Sequence, residues 1–164
     1  MALIDENAKK AYETVVEVLK GMPNFMIVGK DEAEISGAIM DEDCDTFHLY
    51  CITIDQLYKC ISFTIQITPN EISNDYHFET VIGNHMVNQV LPNGLFSIQR
   101  IGGWLVFKIA NKYSFEGSHA ENVDTVRYMF EQAQAAIELH GDRLIKLSNG
   151  TLSLNDFSQH YKLF

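Results

Sequence analysis

The chain has 164 residues, the length of one domain, with ordinary hydrophobic content (46%) and a formal net charge of −10. That charge repels polyphosphate and anionic lipid, so nucleic acid and membrane are not expected partners, whereas a basic protein is compatible with it. The opening MALIDENAKK has no basic segment leading into an apolar stretch, and no apolar run reaches the roughly eighteen residues of a membrane span, so a cytoplasmic protein is expected.

Residues 5–20 read as a helix, with Ala8, Tyr12, Val15, Val16 and Leu19 at helical spacing, Asp5 as cap and Gly21 as stop. Two strands follow at 24–30 and 34–40, joined by the polar turn Lys30-Asp31-Glu32. The charged stretch 41–45, DEDCD, imitates the start of an EF-hand loop. Thr46 stands where that loop needs glycine and Ile52 where it needs the bidentate glutamate, so a solvated connection is the reading.

Residues 46–54 and 58–67 read as a hairpin turning at 55–57. Pairing Ile54 with Tyr58 sets Phe47, Leu49 and Cys51 opposite Ile65, Phe63 and Ile61, apolar against apolar. Tyr50, Ile52, Ile54, Tyr58 and Cys60 then form an outer row. Residues 75–90 read as a helix with Phe78, Val81, Ile82, Met86 and Val90 on one side, ended by Leu91-Pro92-Asn93-Gly94. Asn84 and Asn88, four apart, either hydrogen-bond backbone at the sheet edge or face solvent.

GLFSIQRI and WLVFKIANK flank Gly102-Gly103 as a tight hairpin, pairing Phe96 with Ile109 and Ile98 with Phe107. Its outer row is Leu95, Ile101, Trp104 and Val106. Ser118-His119-Ala120-Glu121 is a capping box, and the helix after it continues through Gly141 to about Leu147 because its apolar stripe resumes in phase. The expected division is one α+β domain over 1–150 and a C-terminal tail over 151–164. The order helix, four strands, helix, two strands, helix, with short loops, predicts an antiparallel sheet.

Chemistry is sparse. There is no phosphate loop, nucleophile elbow or HExxH helix, and the spacing of Cys44, Cys51 and Cys60 is not a zinc pattern. The odd cysteine count and the missing export signal predict reduced thiols. His77 and His85 lie about two helical turns apart without further ligands nearby, and Cys51 and Cys60 lack a partner base. No catalytic residue, cofactor or metal is expected. The outer rows are the departure from a one-sided sheet, whose outer positions should be polar. Tyr50, Ile52, Leu95, Ile101, Trp104 and Val106 are therefore the candidate protein-binding residues, covered either by a partner or by the chain's own helix or tail.

The element order, with "MPNFMIVGKDEAEISG", "NHMVNQVLPNGLFSI" and the closing "LIKLSNG", resembles the YbjN family over roughly residues 5–150. That resemblance implies a fold like the type III secretion chaperones and a dimeric, non-enzymatic domain. Secretion chaperones of similar fold are acidic dimers that hold an extended client segment. The expected function is accordingly a protein-binding module, chaperone-like or regulatory, that self-associates as a homodimer and takes a protein client. The alternative is a small-molecule-binding or enzymatic domain with a pocket between sheet and helices.

Overall fold

The structure is a computed structural model and describes residues 5–40, 47–67, 72–99 and 103–161. In chain order the elements are α1 (Glu6–Lys20), β1 (Phe25–Lys30), β2 (Glu34–Met40), β3 (Phe47–Asp55), β4 (Cys60–Ile67), α2 (His77–Val90), β5 (Leu95–Ile98), β6 (Leu105–Lys112), α3 (His119–Ser148) and α4 (Leu154–Ser158). The six strands make one sheet in the order β1-β2-β3-β4-β6-β5, and it is antiparallel as the short loops require. Helix α2 is inserted after the fourth strand, and α3 runs through Gly141 without a break, both as expected.

Contacts cluster into two units, residues 1–65 with 109–131 and residues 66–108 with 132–164, the division falling within β4, β6 and α3. In the first unit, Asp5 caps α1 by accepting from the Asn7 N–H, and the helix buries Ala8, Ala11, Val15, Val18 and Leu19. The core is a ring cluster in which Phe63 lies 4.7 Å from Phe130 and Tyr50 lies 5.5 Å from Phe25. Gly37 makes room for it. A Cβ there would run into the Met26 carbonyl and the Tyr50 ring, whose hydroxyl donates to that carbonyl at 3.3 Å.

The hairpin β3–β4 departs from the sequence reading. Its connection is the four-residue turn 56–59, with Lys59 at φ 49° and the Tyr58 N–H donating to Asp55 Oδ1, rather than a turn at 55–57. Shifting a hairpin pairing by an odd number of residues turns one strand over. Ile61, Phe63 and Ile65 stay in the core as expected, but Tyr50, Ile52 and Ile54 join them, and Phe47 and Leu49 face outward.

In the second unit, Phe96 and Phe107 stack at 4.7 Å as partners across β5–β6. The expected pairing, Phe96 with Ile109, is off by two residues, which leaves every side chain on its assigned face; Gly102 of the glycine turn lies outside the described residues. Helix α2 is a clearer correction. It buries Thr80, Gly83 and Val87, while Phe78, Val81 and Val90 of the expected stripe are exposed. The cause is the tail: α4 packs on α2, and Gly83 sits against Leu147 and Phe157, a close approach that larger residues would block.

Candidate protein-binding surface

The residues singled out from the sequence do not lie together on one exposed face. Tyr50 and Ile52 are buried among the rings and aliphatic side chains of the first unit, because β3 is turned over. Val106 is buried as well, Trp104 is half-buried, and Leu95 is 51% exposed. Ile101 lies outside the described residues. Of that set, Leu95 and part of Trp104 are open to solvent.

The same reversal that buries Tyr50 creates a different surface. Register places Met26 of β1 beside Ala38 of β2, and Ala38 beside Leu49 of β3; the next step pairs Met40 with Phe47. These side chains share the face opposite the core ring cluster. Met26, Phe47 and Leu49 are each about half exposed (46–52%), and Val28, at the irregularity between Ile27 and Gly29, is 74% exposed. A sheet face with helices on its other side should be polar here. Instead five apolar residues cross three strands, with the small Ala38 as the floor between Met26 and Leu49. Sequence reading missed this patch because it assigned Phe47 and Leu49 to the core.

The two edges of the sheet differ. At β5 the backbone of Phe96 is clasped by Asn88: its N–H donates to Asn88 Oδ1 at 2.9 Å, and its carbonyl accepts from Asn88 Nδ2 at 2.8 Å. The side chain thus supplies the two bonds of a missing neighbouring strand, and the open question about Asn88 resolves as backbone pairing. The Asn84 Oδ1 is buried and finds no partner among the described residues. At the other edge β1 ends in Lys30 and carries the irregularity at Val28, features that guard an edge against uncontrolled pairing.

Titratable groups form no reactive set. Burial, with Glu34 adding to it, pushes the Cys51 thiol up to about 11, so it stays protonated at neutral pH. Burial likewise pushes Tyr50 up to about 12. Among the described residues no three His, Cys, Asp or Glu side chains gather at a metal-binding distance, and the acidic stretch 41–45 lies outside them. A recess of about 120 Å³ lies in the first unit between the end of β6 and α3, floored by Ile61, Val126 and Met129 and rimmed by Asn111 and Asn122. It is well below the roughly 300 Å³ at which small-molecule sites begin. Tyr113 also lines it, with a buried hydroxyl that has no partner among the described residues and a pKa raised by desolvation, which suits a donor and not a base.

No helix of the described residues is long and apolar enough to cross a membrane. No protein-family model and no curated protein matches the chain. A solved structure does: the chain is similar to one in the HopA1-SchA chaperone-effector complex, with TM-score 0.56 over 84% of this chain and 98% of that chain. At 8% identity the two share the fold and little of the sequence. The α+β layout expected from the sequence, of the secretion-chaperone kind, is the layout observed.

Proposed function

We propose that this chain is a non-enzymatic, chaperone-like protein-binding module that holds an extended, basic segment of a client protein on the outer face of β1, β2 and β3. The observation that carries the reading is the apolar patch of Met26, Ala38, Leu49, Met40 and Phe47 on a sheet face where polar residues belong. An extended segment places alternate side chains on one side, which matches a surface of parallel strand rows better than a compact ligand would. Covering the patch would contribute about 25 cal/mol per Å² before ordering costs are subtracted.

Charge selects the client. The unit that bears the patch holds sixteen of the 22 acidic residues and seven of the 12 basic ones, a net charge of −9. Basic residues flanking the apolar ones would be drawn to it. The likeness in fold to a chain of a chaperone-effector complex and the sequence resemblance to the YbjN family agree with a binding role, a cytoplasmic setting and self-association. The small-molecule alternative would have to use the recess beside Tyr113, whose size and chemistry suit it poorly.

The test is a panel of labelled peptides with alternating apolar residues, with and without flanking lysines, followed by fluorescence anisotropy. Lysine-bearing members should bind in the micromolar range, and Leu49→Glu should weaken them at least tenfold with the fold intact. Absence of binding across the panel, or binding indifferent to Leu49→Glu and Met26→Glu, would overturn the reading.

A further inference from the structure

Helix α2 turns outward the side that a helix ordinarily buries. Its buried side is Thr80, Gly83 and Val87. At three- and four-residue steps on the opposite side stand Phe78, Val81, Ile82, His85 and Gln89, with Phe78 71% and Val81 45% exposed and Gln89 Nε2 and His85 Nε2 hydrogen-bonded at 2.9 Å. Leu95, half exposed, adjoins Phe96, whose backbone Asn88 of α2 holds.

Charge says what such a face suits. The unit that contains α2 carries six acidic and five basic residues, a net charge of −1, against −9 for the other unit. Helix α2 itself has one charged residue, Glu79, whereas α1, of nearly equal length, has six. A basic partner gains nothing from so neutral a surface, and its attraction is to the other unit. Two copies of this acidic chain repel each other, and they repel least through the unit that is nearly uncharged.

We infer that the outward face of α2 is a self-association surface, on which a second copy lays its own α2 about a two-fold axis. The inference stands apart from the client reading, which uses other residues. An identical helix is apolar where this one is apolar, and the two-fold axis closes the contact on a pair. A helix of 14 residues is about 21 Å long, and one face of it buries less than the roughly 800 Å² per partner of a stable interface. With Leu95 added, a dimer of micromolar dissociation constant is the expected strength.

Sedimentation over about 1–100 µM tests it, on the full chain without peptide. The native protein should pass from monomer to dimer in that range. Phe78→Glu and Val81→Glu should each weaken the dimer at least tenfold without lowering the melting temperature, since both side chains are exposed, and Val28→Glu should leave it unchanged. If the charged variants fail to fold, His85→Cys serves instead, and oxidation should link two copies covalently through that position. A native monomer throughout, a dimer indifferent to both α2 variants, a dimer lost on Trp104→Glu but not on Phe78→Glu, or an uncrosslinked His85→Cys protein would each overturn the inference. Loss of peptide binding in Leu49→Glu with the dimer intact keeps the two readings separable.

Discussion

Asn88 does the work of a strand with a single side chain. Replacing it by alanine strips two hydrogen bonds from Phe96 and leaves the backbone of a fully buried residue unpaired. We expect Asn88→Ala to destabilise the protein by about 1–3 kcal/mol, read as a lower urea midpoint. His140 sets a pH dependence. Its Nδ1 lies 2.7 Å from the Tyr161 hydroxyl, which burial keeps protonated and donating. Burial first, and then the Arg143 charge, lowers the His140 pKa below its usual 6.5. The folded form therefore binds fewer protons than the unfolded one once pH drops below 6.5, and its stabilising contribution, full above that value, is lost as pH falls toward the depressed folded value. Urea midpoints at neutral pH and near pH 5.5 should show a fall for the native protein that is smaller for His140→Asn. A native fall no greater than that of the variant would contradict this.

At the scale of elements, patterns that depend on near neighbours were legible and those that depend on distant ones were not. Caps, strand runs, the capping box and the continuity of α3 follow from residues within a few positions, and they appear as read. The face of β3 depends on where one turn sits. Lys59 in the left-handed region gives no signal, since lysine has no preference for it, so Phe47 and Leu49 were placed inside and the outer apolar patch went unseen. The burial of α2 depends on a tail more than sixty residues away. Phe78 and Val81 look like a core stripe until Phe157 takes the opposite side and makes Gly83 the contact. That contact gives a prediction in which two effects compete. Alanine at Gly83 gains about 1 kcal/mol in helix propensity. Its methyl group, however, would collide with Leu147, itself fully buried and without room to move. Overpacking of this kind costs about 1–3 kcal/mol, so Gly83→Ala should lower the melting temperature, and a rise would contradict the described packing.

For the whole molecule, the uneven charge has a measurable signature. Apolar contact in both proposed interfaces is insensitive to salt, but the electrostatic part has opposite sign in each. Client binding draws on attraction to the unit of net charge −9, which added salt screens. Self-association works against repulsion between two chains of −10, which added salt also screens. Raising sodium chloride from about 50 to about 500 mM should therefore weaken peptide binding and strengthen the dimer, in one protein preparation. Parallel changes would show that the charge division does not govern the two contacts.

Trp104, the sole tryptophan, stands at the start of β6 with its neighbour Leu105 buried and its own side chain half-covered, and Gln99 N–H donates to its carbonyl at 2.9 Å. Its position makes the indole a local reporter. Emission excited at the red edge of the absorption band arises from this residue alone, so its wavelength follows the environment of the β5–β6 hairpin. The far-ultraviolet dichroism is summed over every helix and strand. If the chain unfolds as one cooperative body, the two optical signals must trace one curve against denaturant. If the two contact clusters melt apart, the fluorescence transition will follow the hairpin alone and part company with the dichroism.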